Sequence, residues 1–101
     1  MTVESLTLIS SAELLQTVKS SLNVTGAQFD TTLQLYIDEV KAYLTSAGVS
    51  AGVVGSTLAV GCISRGVADL WNYGNGDTTL SDYFYQRAEQ LRGVRVVADN
   101  E

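Results

Sequence analysis

The sequence predicts an all-α fold: a small bundle of about four helices carried between flexible N- and C-terminal arms, forming one domain over residues 1–101. Three observations predict it. Proline is absent and there are nine glycines, which suits helices separated by glycine-rich corners better than strands punctuated by proline turns. Apolar residues recur at steps of three and four over long segments, the helical period. Helix-start signatures, a hydroxyl residue followed three places later by an acid or amide, stand just before those segments.

The first helix is expected from Ser10 to Leu22. Ser10-Ser11-Ala12-Glu13 is a capping box, with the Ser10 oxygen on an N3 amide and Glu13 reaching back, and Ile9 and Leu14 supply the hydrophobic staple. Leu14, Leu15, Val18 and Leu22 form a narrow apolar stripe, so this helix lies on a core without being surrounded by it. The segment Asn23 to Gly26 breaks it. A second helix follows, with Thr25-Gly26-Ala27-Gln28 as its expected cap and Phe29, Leu33, Tyr36, Ile37, Val40, Leu44 and Ala47 on one face. Its other face carries Asp30, Gln34, Asp38, Glu39 and Lys41, an ordinary solvated side, and Gly48 is placed to end it as a C′ residue.

Val49 to Gly55 reads as a corner. Ser56 or Thr57 then caps a third helix running to about Tyr73, with Ala59, Cys62 or Ile63, Gly66, Val67, Leu70 and Trp71 along its buried side and Gly74 as its stop. Gly61 and Gly66 each cost about 1 kcal/mol relative to alanine inside a helix, which implies that another backbone approaches closely on that side. This helix is therefore expected at the centre. Asn75 to Thr79 is a turn cluster, and Ser81 caps a fourth helix whose first turn holds Asp82 and whose Phe84, Ala88 and Leu91 point inward. The arms span about residues 1–9 and 93–101. Val94, Val96 and Val97 alternate loosely with Arg95, a pattern that could add to a neighbour's sheet edge.

Composition excludes several functions. A chain of this length buries roughly 65% of the surface its unfolded form exposes, enough for one modest core. With 46% hydrophobic and 17% charged residues it is expected to fold. Eleven acidic against six basic residues leave a net charge of −5 and no basic stripe to displace counterions from phosphates. Sequence-specific DNA reading is not expected. Between Lys41 and Arg65 lie 23 uncharged residues, but ten of them are Gly, Ser or Thr, so the stretch reads as a connection between helices and not as a membrane span. The start Met1-Thr-Val-Glu-Ser lacks the cationic opening of a secretory signal, which points to the cytosol.

Catalytic chemistry finds no anchor. With no histidine and the single cysteine Cys62, the usual general base, the Ser-His-Asp arrangement, Cys/His zinc sites and an intramolecular disulfide are all missing. Cys62 lies among Val60, Gly61 and Ile63 and reads as a packed core thiol. Asp38 and Glu39 are adjacent, about 100° apart on a helix, and cannot face each other as acid and base. Gly74-Asn75-Gly76-Asp77 lacks the third glycine and the strand of a phosphate loop, and its oxygens lack the terminal glutamate of a calcium loop. No cofactor, metal or enzymatic activity is expected. What stands out is Trp71, Tyr73, Tyr83 and Tyr85 with Arg87, Arg92 and Arg95, the residue types that anchor protein interfaces, although rings in so small a domain also fill cores.

In the segments Ile63-Ser-Arg-Gly-Val-Ala-Asp-Leu-Trp-Asn-Tyr-Gly-Asn-Gly and Leu80-Ser-Asp-Tyr-Phe-Tyr-Gln-Arg-Ala-Glu-Gln-Leu91 the chain resembles the small head-tail connector proteins of long-tailed bacteriophages, a family of DNA-packaging and head-completion adaptors. The order and lengths of the helices match over most of the chain. The resemblance implies a structural subunit made in the host cytoplasm and incorporated at the head-tail interface of the virion. Copies would form a homo-oligomeric ring, expected to be a dodecamer in the virion, stacked under the portal protein and docking stopper or tail-completion proteins. DNA would pass through the channel without sequence-specific binding. The family's arms map by position onto Met1 to Ile9 and Gly93 to Glu101, and its connector onto Val49 to Gly55. Two other readings stay open: a small helical adaptor or antitoxin-like partner protein, and a helix-turn-helix regulator, whose recognition helix would offer only Arg65 as a cation.

Overall fold

The computed structural model describes residues 2–73 and 80–96. They form an all-α body of five helices: α1 (Ser11–Leu22), α2 (Asp30–Ser46), α3 (Ala51–Val54), α4 (Val60–Tyr73) and α5 (Asp82–Arg92). A single 3₁₀ turn, Thr57–Ala59, leads into α4. Two-residue strands β1 (Thr2–Val3) and β2 (Arg95–Val96) pair in parallel, Thr2 with Arg95 and Val3 with Val96.

The local signals at α1 and α5 are realised as read. Ser10 Oγ accepts from the Glu13 amide and Glu13 Oε1 accepts from the Ser10 amide, closing the capping box. Ser81 Oγ accepts from the Phe84 amide, and Asp82 occupies the first turn of α5. Both ends of the second helix were expected from sequence, but only one holds. At its C-terminus Gly48 adopts φ +99°, its amide bonding to the Thr45 carbonyl and that of Val49 to the Leu44 carbonyl. This is a Schellman closure, and the left-handed backbone there requires glycine.

At the N-terminus Thr25 makes no cap. α2 begins five residues later, at Asp30, behind an N-cap Phe29 that has no side-chain bond. The reason is a contact that local spacing cannot reveal. Lys19, at the end of α1, is buried, and its Nζ donates to the Gly26 carbonyl at 2.5 Å and pairs with Asp30 Oδ1 at 2.8 Å. The Gly26 carbonyl is thereby turned back onto α1 instead of along a new helix axis, and Asp30 is fixed where its charge favours a helix start.

The connection from α2 is also more structured than a loop. Ser50 caps the short helix α3, whose Val53 and Val54 are buried, so the corner expected over Val49 to Gly55 contains a helical turn that closes the base of the core. Ser56, fully buried, caps the 3₁₀ turn through the Leu58 amide, as the sequence suggested for the third helix. Gly74 and the turn cluster Asn75 to Thr79 lie outside the described residues.

α4 is the central element, packing on α1, α2 and α5. Its Cys62, Ile63 and Val67 are fully buried and face Leu33, Ile37, Val40 and Leu44 of α2, Leu14 and Val18 of α1, and Phe84, Ala88 and Leu91 of α5. The two α4 glycines part company. A Cβ on Gly66 would stand 2.9 Å from both Phe84 Cε1 and Val40 Cγ2, so the close approach inferred from sequence is real, but side chains make it and not a backbone. A Cβ on Gly61 would meet nothing within 4 Å, and Gly61 is exposed, so among the described residues the expected close neighbour is missing there.

The described parts of both arms are laid on the body. Besides the β1–β2 pairing, the Ile9 amide bonds to the Gly55 carbonyl and the Thr57 amide to the Thr7 carbonyl, and Leu8 and Ser56 form an antiparallel bridge. Val94 is buried in the core. Residues 97–101 lie outside the described residues. Among the described residues no helix is long and apolar enough to cross a membrane.

Candidate functional site

The residues singled out from sequence are distributed over four places, at the end of α4, on the two flanks of α5 and in β2. Trp71 is half-buried near the end of α4, its ring edge-on to Phe29 with centroids 5.2 Å apart. Tyr73 closes α4, and its side chain lies outside the described residues. On the flank of α5 that faces α2, Tyr85 is 40% exposed and packs edge-on to Tyr43 at 5.8 Å and to Phe84 at 5.7 Å. Arg92 shares this flank, its aliphatic stem beside Gly48 and its guanidinium 2.5 Å from Glu89. Tyr85 and Arg92 therefore double as local packing.

The other flank of α5, facing α4, carries Tyr83 and Arg87. Tyr83 is 55% exposed and lies under the Arg65 guanidinium, 5.7 Å from ring centroid to Cζ. Arg87 is half-buried, donates to Gln90 Oε1, and forms no ion pair among the described residues. It borders an open groove of about 420 Å³ shared with Glu89, Gln90 and Gly93. Arg95, in β2, is exposed and bonds only weakly to the Val94 carbonyl, at 3.5 Å. Tyr83 and Arg87 thus form one surface with Arg65, while Trp71 belongs to another.

Asp69 was missed by the sequence reading, which weighed Arg65 only as the cation of a DNA-reading helix, and the two hold this surface together. Asp69 is buried and its Oδ2 accepts from the Ser81 amide at 2.9 Å, tying the start of α5 to α4. Its Oδ1 lies 3.4 Å from Arg65 Nε, which also donates to Ser81 Oγ at 3.2 Å. The i,i+4 spacing of Arg65 and Asp69 was legible in the sequence, but the third partner, twelve residues on, was not. The exposed half of the Arg65 pair contributes little, whereas the buried acceptor satisfies an orphan amide at a helix start. Asp69→Ala is expected to lower the unfolding free energy by about 2 kcal/mol, with Asp69→Asn, which keeps an acceptor, losing about half as much, both read from urea denaturation.

Cys62 is a packed thiol. Burial pushes its pKa up to about 11 from an ordinary 9.0, against a smaller lowering by the nearby Arg87 charge, and its Sγ lies 3.8 Å from the Phe84 carbonyl oxygen. A raised folded-state value means that the native chain keeps the proton after the unfolded chain has lost it. The stabilisation is complete below about pH 9 and is lost as the pH rises towards about 11. Native protein at pH 8 should accordingly resist thiol alkylation, and Cys62→Ala should flatten the fall in stability between pH 9 and 11. Among the described residues there is no group of three His, Cys, Asp or Glu side chains able to hold a metal ion.

Compared with known proteins, the chain matches no family model, no curated protein and no solved structure.

Proposed function

We propose that the chain is a structural subunit of a bacteriophage head-tail connector, which assembles with copies of itself into a ring beneath the portal, extends the DNA channel and docks a stopper or tail-completion protein. The observation that carries the reading is the α4–α5 unit that contains the resemblance. In Leu80-Ser-Asp-Tyr-Phe-Tyr, Ser81 caps α5, Phe84 goes wholly into the core, and Tyr83 and Tyr85 are left on the surface either side of it. One short segment thereby locks the bundle and presents aromatic anchors with Arg65 and Arg87 beside them.

The body also suits a mechanical role. Its described residues form one small core, its one thiol is used for packing, and its surface carries aromatic, aliphatic, acidic and guanidinium side chains. An excess of acidic groups on a conduit's subunit limits phosphate contacts, so DNA can move past it. The test is negative-stain microscopy of the full chain mixed with a purified phage portal ring, alongside a gel shift with duplex DNA at physiological salt. A second ring stacked on the portal, with no tight DNA binding, is the expected result. A chain that leaves the portal bare, or that shifts duplex DNA at nanomolar concentration, defeats the proposal.

A further inference from the structure

The two central helices bury their inner faces against each other, so their outer faces point in opposite directions from the body. Val40 of α2 and Gly66 of α4 are in contact across the core. On α2 the residues turned away from that contact are Leu35, 63% exposed, with Asp38 and Glu39 beside it, and neither acid is in an ion pair among the described residues. Lys41, three residues on from Asp38, is half-buried and pairs with neither acid among the described residues. On α4 the side turned away carries Gly61, Arg65 and Ala68, extended by Tyr83 and Arg87 of α5. Of the charges there, Arg65 is held to buried Asp69, Glu89 is neutralised by Arg92, Asp82 is exposed at the start of α5, and Arg87 forms no ion pair among the described residues.

We infer that these two faces are the complementary halves of a head-to-tail contact between copies of this chain, the acidic α2 ridge of one copy seated on the Arg65, Tyr83 and Arg87 face of the next. The inference rests on the ring reading and names its contact. A contact that joins two different, oppositely directed patches propagates from copy to copy and closes a ring when its rotation allows, whereas a self-complementary patch stops at a dimer. The charges favour the pairing: acid against guanidinium attracts, while the acidic ridge against itself repels. Shape agrees with charge. Leu35 is a protruding side chain, and Gly61, which the chain's own packing leaves uncovered, is a place with no side chain to obstruct it.

The test is sedimentation velocity of the full chain from micromolar to millimolar concentration, on the wild type, four single variants and one double variant. Glu39→Arg and Arg87→Glu each put like charges in opposition and should weaken self-association by at least about 10-fold, and the two together in one chain should recover most of it. Gly61→Leu fills the open position on the exposed helix face, leaves the fold intact because its Cβ meets nothing, and should weaken association by a similar factor. Leu35→Ser should do likewise. If the wild type forms rings and all four single variants form them equally well, these faces are wrong and the ring reading survives. If the wild type stays monomeric over the whole range, the contact falls, and the ring reading is decided by the portal experiment.

Discussion

Gly66→Val is expected to destabilise the chain by about 3 kcal/mol and to lower its Tm by more than about 10 °C. A Cβ alone at this position would stand 2.9 Å from Phe84 and from Val40, closer than carbon atoms approach in folded proteins, and valine adds two further methyls in the same crevice. Neither neighbour can retreat, because both are buried, Val40 on α2 and Phe84 on α5. The helix-propensity gain from removing a glycine, at most about 1 kcal/mol, opposes this and loses. Gly61→Ala isolates that gain, since its Cβ meets nothing, and should raise stability by up to about 1 kcal/mol. Thermal denaturation of the two variants should therefore move in opposite directions, and a Gly66→Val protein as stable as the wild type would refute the packing described here.

Phe84→Ala should cost about 3–5 kcal/mol, a large share of the total for a domain this small. The ring is fully buried, meets Tyr43 at 5.5 Å and Tyr85 at 5.7 Å, and fills the space opposite Gly66. Removing it leaves a cavity that α5, held to α4 at one end through Asp69 and Ser81, cannot close by sliding. The same geometry predicts non-additivity. When Gly66→Val and Phe84→Ala are combined, the methyls introduced by the first substitution enter the space vacated by the second. The combined loss in chemical denaturation should then fall short of the sum by more than about 1 kcal/mol. A strictly additive double variant would mean that the two positions do not share one cavity.

What the sequence disclosed follows the range of the interactions concerned. The caps at Ser10 and Ser81 and the closure at Gly48 each depend on atoms within a few residues, and each was legible. The start of α2 was misplaced because Lys19 and Asp30, eleven positions apart, decide it through an ion pair and the Gly26 carbonyl. The short helix α3 was hidden by the glycine, serine and valine composition of its corner, where burial of Val53 and Val54 outweighs local propensity. Parallel pairing of Thr2 and Val3 with Arg95 and Val96 joins the two ends of the chain and leaves no local trace.

The candidate surface divides in the same way. Aromatic and guanidinium side chains were evident as a set, but which of them pack inward depends on the rotation of α5 about its axis. That rotation is set by Phe84 against Gly66 and turns Tyr85 towards Tyr43 while leaving Tyr83 to Arg65. The acidic ridge of α2 was read as an ordinary solvated face. It gains meaning only when α4 is seen to present the opposite charge on the opposite side of the body.

The most direct test of a self-assembling subunit is the mass of the full chain in solution, by native mass spectrometry over a range of protein concentration and salt. The account predicts a closed oligomer of fixed stoichiometry that builds up with concentration and weakens as salt screens the acid–guanidinium contacts. A 10.8 kDa monomer at every concentration and every ionic strength would contradict it.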